Sequence, residues 1–396
     1  MFKNFHNIKF LVGDSKFEKV LLTPYDDEIC NFLGDFSKEL SKKIYNDLID
    51  LKSLSFWCRK NNLNKIKKSF FSNEIRSGIG LIFHVTPSNV PTNFMYSLIF
   101  GLLTGNSNIV KVPSKNFEQI KIICKIINNL LNKKKFKKIR KMIKIVKYEN
   151  NNDEFTKFLS SICDVRIIWG GDKTIEKIRK FPINSRSFDL TFADRYSICI
   201  LNAKTIKKIS NNDLENLVRK FYNDVFIFDQ NACSSPHLIF WFGLNEKNTR
   251  FKFWEKLSKI IDKRYNIPDK AAVDKFSQFC RDTINLKEIK SQNKFGNMVY
   301  TILLKEINSE IENLRGKWGY FYEKEISNLS EVKNILTNKF QTMTYFGINK
   351  RQLETFARSN LKGIDRIVPI GQALEISLIW DGYDINKKLT RIIDIK

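Results

Sequence analysis

Between residues 79 and 180 short apolar runs alternate with segments of helical periodicity, and this alternation narrows the fold more than any other feature of the chain. GLIFHV (80–85), NIVKVP (108–113), IKIVKY (143–148) and VRIIWGG (165–171) read as strands. Segments 93–104 (closed by Gly105), 117–131, 153–162 and 172–180 read as the helices between them. Strands joined through helices run parallel, so the expectation is an α/β chain built on a doubly wound parallel sheet. Such sheets bind ligands at the carboxyl ends of their strands.

A second α/β portion centres on VFIFDQNACSSPHLIFWFG (225–243). VFIF reads as a strand leading into a polar turn, and HLIFWF as the strand that leaves it. Cys233 lies in that turn, bracketed by Gln230, Asn231, Ser234 and Ser235. GIDRIVPIGQALEISLIWDGYDI (363–385) is a strand region punctuated by Gly and Pro. Residues 1–75 read as helical and polar, and neither an internal repeat nor a low-complexity linker interrupts the chain.

With 396 residues the chain suits two or three packed subdomains, and 42% hydrophobic against 28% charged residues is the balance of a soluble globular protein. The most apolar segment, 94–103, has about half the ~20 residues a membrane span needs, so no membrane span is expected. The N-terminus MFKNFHNIKFLVGD mixes Lys, Asn and His into its apolar residues and lacks a small-residue cleavage site. It does not read as a signal peptide, and the expected location is cytoplasmic.

Seven cysteines contain no C-x-x-C pair, and the three histidines, at 6, 84 and 237, stand at no zinc-ligand spacing. Neither a metal site nor a disulfide framework is expected, which leaves the thiols as nucleophiles or small buried hydrophobes. The net charge is +26, and residues 121–147 hold eleven basic and no acidic side chains. That stretch reads either as a solvated face or as an attractor of a polyanion such as coenzyme A or NADPH. No zinc finger or aromatic ribonucleoprotein motif accompanies it, so nucleic acid is not the expected partner. The G-x-G-x-x-G fingerprint is absent; Gly170-Gly171-Asp172 at a strand-to-helix junction is suited to a phosphate, and equally to close packing of helix on strand.

Five blocks resemble one family: FHVTPSNVPTNFMYSLIFGLLTGNSNIVKVPSKN, IIWGGDKTIEKIR, FDLTFADRYSI, FDQNACSSP and DRIVPIGQALEISLIWDGYD. In order and approximate spacing, from about residue 80 to the C-terminus, they are similar to the acyl-CoA reductases of the LuxC type. These are the reductase component of bacterial bioluminescence fatty-acid reductase systems and a divergent branch of the aldehyde dehydrogenase superfamily. The resemblance implies an aldehyde dehydrogenase-like fold of two doubly wound parallel-sheet domains with a small oligomerisation extension. Its expected boundaries are a helical region plus dinucleotide-binding domain over 1–205, a catalytic domain over 206–370, and a segment 371–396 returning to the cofactor domain or the oligomerisation sheet. The implied activity is reduction of an acyl thioester, acyl-CoA or an acyl-protein donor, to an aldehyde with NADPH. An acyl-protein synthetase is an implied partner, and a homo-oligomer the implied assembly.

The resemblance also assigns residues. Cys233 is placed as the nucleophile, because a thiolate attacks a thioester readily and the acyl-enzyme it forms is itself a thioester. Asn89 resembles the asparagine whose amide stabilises the tetrahedral oxyanion; its other reading is a residue that only forms the turn. Lys111 resembles the strand lysine that contacts the cofactor ribose, with Ser114 and Lys115 as neighbours, and Gly170 and Gly171 match the region approaching the pyrophosphate. Asp189 overlies the superfamily glutamate that activates water, one methylene shorter, and Thr191-Phe192 replace the double glycine that follows. It reads either as a weakened base, suited to reduction because water must not intercept the acyl-enzyme, or as an ion-paired carboxylate. His84 and His237 read as satisfied core residues in preference to proton shuttles. Asp365, Arg366 and Pro369 mark a loop returning to the active site, and Trp380 and Asp381 read as structural. The rivals are an aldehyde dehydrogenase that makes the free acid and a non-catalytic basic binding protein.

Overall fold

The computed structural model describes residues 8–45, 47–70, 74–243, 246–307 and 310–396; His6 and the start of the segment read for a signal peptide lie outside the described residues. The chain divides into two compact units, Met1–Asp194 with Tyr383–Lys396, and Arg195–Gly382.

In the first unit the strands are β1 (Lys9–Val12), β2 (Ile75–Gly78), β3 (Leu81–Val85), β4 (Ser107–Lys111), β5 (Ile143–Lys147), β6 (Val165–Trp169) and β7 (Phe188–Phe192). Six of them form one sheet in the order β1-β5-β4-β3-β6-β7, parallel throughout except for β1 at the edge. Every residue of β3, β4 and β6 is buried, as central strands covered on both faces must be. The helix Glu118–Leu131 buries Ile120, Ile123, Ile127 and Leu130 at three- and four-residue steps, each contributing about 1.5–3 kcal/mol. Asn152 caps Asp153–Ile162 by accepting from the Phe155 N–H at 3.1 Å. Gly105 ends Asn93–Leu103 at φ +81, where a Cβ would come within 2.1 Å of the Leu22 carbonyl oxygen, so only glycine fits.

The strand order reverses between β3 and β6, which makes the carboxyl ends of these two neighbours the switch point of the sheet. The first 75 residues are less uniformly helical than expected. β1 adds an edge to the sheet, and β2 pairs antiparallel with Thr390–Ile393 in a separate ribbon. Both are four-residue strands exposed at their first residue, too short for alternation to show.

In the second unit β8 (Tyr196–Asn202), β9 (Pro236–Phe242), β10 (Ile289–Phe295), β11 (Val299–Leu304), β12 (Tyr320–Ile326), β13 (Phe340–Phe346) and β14 (Arg366–Pro369) are ordered β10-β11-β12-β9-β8-β13-β14. All neighbours are parallel except β10 with β11. The two-residue period of β8 feeds two cores: Cys199 and Leu201 join Trp241, Trp254 and Phe221 on one face, while Ile198 and Ile200 join Phe240, Tyr322 and Met343 on the other.

Two expectations are corrected here. VFIF is not a strand: Val225 and Phe226 close the helix Asn211–Phe226, which starts on Ser210 as cap and buries Leu214, Leu217, Val218, Phe221 and Val225 along one face. A short apolar run reads alike in either element, and here the helical face claimed it. The unit boundary falls at 194/195 rather than 205/206, because β8 is a central strand bonded to both β9 and β13. Residues 371–382 stay with the second unit, and the return to the first begins at Tyr383.

Candidate functional site

The first unit presents Asn89, Lys111, Ser114, Gly170 and Gly171 on loops at the carboxyl ends of three adjacent strands. Thr86 ties two of these ends together, its hydroxyl donating to the Lys111 carbonyl at 2.7 Å. Asn89 lies in the exposed turn between β3 and the helix Asn93–Leu103. Asn93, which opens that helix, is 9% exposed, and its side-chain oxygen accepts no hydrogen bond.

Lys111 closes β4 and is buried. Its Nζ donates to Asn150 Oδ1 at 2.6 Å and stands 4.9 Å from the Tyr148 ring centroid. Burial pushes this ammonium down to about 8, so the site holds a cation whose charge a phosphate would stabilise. Three residues on, the Ser114 hydroxyl is buried without a hydrogen-bond partner. Gly171 caps the helix Asp172–Arg179 with no side-chain bond, and a Cβ there would meet nothing within 4 Å. At Gly170 a Cβ would come within 3.1 Å of Thr174, so that glycine serves packing and Gly171 faces open space. An orphaned hydroxyl, a strand-end ammonium and an open helix start suit a phosphate-bearing nucleotide.

Asp189 stands apart from this edge. It is the second residue of β7, in register with Arg166 at the second position of β6, hence towards the amino ends of both strands. Both of its oxygens accept from the Arg166 guanidinium, at 2.7 and 2.9 Å. Arg166, 1% exposed, also donates to Ser160 Oγ and the Phe181 carbonyl, both at 3.0 Å. Of the two sequence readings the ion-paired carboxylate is the one observed.

Both described histidines are satisfied core residues. His84 pairs Nδ1 with Ser97 Oγ at 2.7 Å and Nε2 with Asn108 Oδ1 at 3.0 Å, and burial pushes it down to about 4. His237 donates from Nδ1 to the Gly316 carbonyl at 3.0 Å and stacks on Tyr196; burial, then the Arg315 charge, push it down to about 3. Neither supplies an imidazolium at neutral pH.

The second unit builds the turn carrying Cys233 between the helix Asn211–Phe226 and β9. Asp229 and Gln230 take left-handed conformations, φ 54 and 62, at a cost of about 1–3 kcal/mol each. Buried bonds offset that cost. The Gln230 backbone N–H donates to Val225 O at 2.7 Å, and its Nε2 to Pro236 O and Tyr320 O at 3.0 and 3.1 Å. Its Oε1 accepts from the Gly319 N–H at 3.1 Å. Ser197 Oγ on β8 donates to the Cys233 carbonyl at 2.6 Å and accepts from the Thr342 N–H at 3.2 Å. Cys233 itself is half-buried, and none of the seven cysteines is in a disulfide. Cys58, Cys124, Cys163 and Cys199 are buried, and burial pushes their thiols up.

Ser235 Oγ continues the support, donating to the Asp224 carbonyl at 2.7 Å. The Asp224 carboxylate accepts from the Gly371 and Ala373 N–H groups at 2.7 and 2.9 Å, and burial pushes it up to about 7. Asp365 and Arg366 are structural here: Asp365 pairs with Arg195, and Arg366 donates to the carbonyls of Ala373, Gln372 and Glu375 over the Trp380 ring. Asp381 accepts from Gln341. Sequence reasoning missed Ser197 and Thr86, because a hydroxyl inside or just after an apolar strand carries no local signal of what it will bond.

Among the described residues no helix is long and apolar enough to cross a membrane, and no cluster of His, Cys, Asp and Glu is arranged to hold a metal. The family model for acyl-CoA reductase (LuxC) matches residues 20–392. A long-chain acyl-protein thioester reductase of Aliivibrio fischeri is 22% identical over 300 residues, 74% of this chain and 58% of that protein. Its counterpart in Vibrio harveyi is 23% identical over 323 residues, 79% and 63%. The chain thus spans less than two thirds of the length of these curated relatives. Among solved structures, an oxidoreductase from Marinobacter aquaeolei superposes with TM-score 0.67 at 12% identity, covering 96% of this chain and 88% of that one. An NAD-dependent benzaldehyde dehydrogenase from Corynebacterium glutamicum gives 0.62 at 11%, covering 99% and 98%. The fold is that of the aldehyde dehydrogenases.

Proposed function

Because this chain belongs to the LuxC acyl-CoA reductase family, we propose that it reduces a long-chain acyl thioester to the aldehyde through an acyl group held on Cys233. What supports the reading most is the family match over residues 20–392, together with a half-buried thiol in a braced polar turn at the position where the family resemblance puts the nucleophile. The donor is acyl-CoA or an acyl-protein, and an acyl-protein synthetase is the partner this reading implies. Self-association is assigned to the ribbon of β2 and Thr390–Ile393, where Ile75 and Ile392 are each 53% exposed. Cytoplasmic residence belongs to the same reading, with all seven cysteines as thiols.

In this mechanism the Cys233 thiolate attacks the thioester carbonyl and forms a new carbon–sulfur bond. The Asn89 amide donates to the resulting oxyanion, a contribution of about 2.7–4 kcal/mol for such a donor. The donor's carbon–sulfur bond then breaks, its thiol leaves with a proton, and the acyl group remains on Cys233. Lys111, Ser114 and the helix start after Gly171 would hold the dinucleotide, which we take as NADPH, and the Lys111 ammonium would offset its phosphate charge. When bound, the nicotinamide supplies the hydride. The thiohemiacetal left on Cys233 collapses, returning the thiol and releasing the aldehyde. Asp189 takes no part: its oxygens accept from Arg166, which occupies the carboxylate that the resemblance aligns with the water-activating glutamate and favours reduction over acid formation.

The test incubates the chain with NADPH and a panel of acyl-CoAs, following absorbance loss and trapping aldehyde, beside Cys233→Ala. Aldehyde that disappears in the variant is the expected result. Aldehyde that survives loss of Cys233 refutes the covalent route.

A further inference from the structure

A buried ammonium with no carboxylate among its bonding partners holds two turns, one of which bonds the loop that carries Cys233. Lys275, on the helix Asp269–Asn285, is 1% exposed. It donates to the carbonyls of Asn297, Met298 (3.2 Å) and Trp318 (3.0 Å), so each of its three hydrogens has an acceptor. It also stands 4.7 Å from the Tyr300 ring centroid. A buried charge held only by carbonyls is costly, and the adjoining turns of this helix bury Ala271 and Phe279 on the same face. Packing alone would be met by an apolar side chain of similar length.

The acceptors show what the charge does. Trp318 and Gly319 are both left-handed, φ 53 and 87, and a Cβ at Gly319 would come within 2.4 Å of the Met298 carbonyl oxygen. Two tight turns, 297–298 and 318–319, therefore press against one another, and Lys275 bonds across both. The second turn leads directly to the nucleophile loop: the Trp318 N–H donates to Asp229 O at 3.4 Å and the Gly319 N–H to Gln230 Oε1 at 3.1 Å. Gln230 in turn bonds Pro236 O, beyond Cys233, at 3.0 Å.

We infer that Lys275 is a positioning residue for Cys233: its ammonium clamps the 297–298 and 318–319 turns, and the clamped Gly319 N–H holds Gln230 in the left-handed conformation from which Cys233 is presented. The inference rests on the reading above only in taking Cys233 as the nucleophile. It predicts that loss of the clamp changes the chemistry of a thiol that Lys275 does not touch, while substrate binding is largely kept.

The experiment compares the full chain with Lys275→Met, Lys275→Gln, Gln230→Ala, the double variant Lys275→Met with Gln230→Ala, and Lys270→Met as an exposed control on the same helix. Alkylation of Cys233 by iodoacetamide is followed across pH by mass spectrometry, alongside Tm and, with NADPH and an acyl-CoA, kcat and KM. In a folded Lys275→Met the pH–rate curve for alkylation shifts and kcat falls about tenfold or more, with KM within about twofold. Lys275→Gln, which keeps two donor hydrogens, falls between Met and wild type. The double variant is no worse than the more severe single one, because both act through one relay. An alkylation curve for Lys275→Met that superimposes on the wild type's, or additive losses in the double variant, overturns the inference. Should Lys275→Met not fold, Lys275→Gln carries the same comparison. A wild type that is alkylated at Cys233 but reduces no acyl thioester defeats the proposed function, and the alkylation curves still decide the clamp.

Discussion

The strand-end edge of the first unit and the Cys233 turn of the second do their work by opposite means. Along the first edge Lys111, Ser114 and Gly171 follow straight from the ends of their strands, and the useful groups are those left unfilled: an orphaned hydroxyl and open space at a helix start. Around Cys233 little is left open. Gln230 makes four bonds, Ser235 within the turn holds the Asp224 carbonyl, and Ser197 on β8 and Lys275 on the helix Asp269–Asn285 hold backbone from outside it. A ligand cradle must keep donors free, whereas a nucleophile must be held in one place, so the same fold supplies vacancy in one unit and saturation in the other.

That contrast predicts how each region breaks. The largest effect belongs to Cys233→Ala, which removes the attacking atom: aldehyde formation falls by about 10³-fold or more while Tm stays within a few degrees, as read by aldehyde trapping and thermal melts. Retained turnover would take the nucleophile out of the braced turn altogether. Asp189→Ala comes next and acts on stability: it strands the buried Arg166 guanidinium and costs about 3–5 kcal/mol in urea unfolding. An unchanged midpoint would reopen the catalytic reading of that carboxylate. Gln230→Ala is expected to cost about 1–3 kcal/mol by leaving buried carbonyls unpaired, and to lower kcat as well. A loss of stability with kcat intact would mean that the turn holds itself.

On the open edge the expected losses are in binding. Lys111→Met raises the KM for NADPH about tenfold with kcat and Tm nearly unchanged, and Gly171→Ala, with open space at its Cβ, changes stability by less than about 1 kcal/mol. If Lys111→Met unfolds the chain instead, the edge is braced in the manner of the second unit. A separate effect concerns acid stability. His84 and His237, held at about 4 and about 3, lie below the 6.5 of free imidazole, so between those values the unfolded chain binds more protons. The stability they contribute is whole above pH 6.5 and is lost as pH falls through 4, visible as a falling Tm over that window. A flat Tm there would show that both rings are hydrated in solution.

The sequence by itself determined the alternating elements of the first unit. Apolar runs bounded by Gly and Pro put β3, β4, β5 and β6 within a residue or two of where they form, because each is a central strand whose burial is written into consecutive residues. The Gly170-Gly171 junction was legible in the same punctuation, whereas Lys111 and Ser114 were named through the family resemblance. The polar turn around Cys233 was visible too, but not what holds it. Only the tertiary structure decided that VFIF ends a helix, that Asp189 answers Arg166 across a parallel pair, and that Lys275 supports a turn more than forty residues away. These outcomes depend on which face of one element meets another, and a side chain that bonds distant backbone leaves no local pattern to announce it.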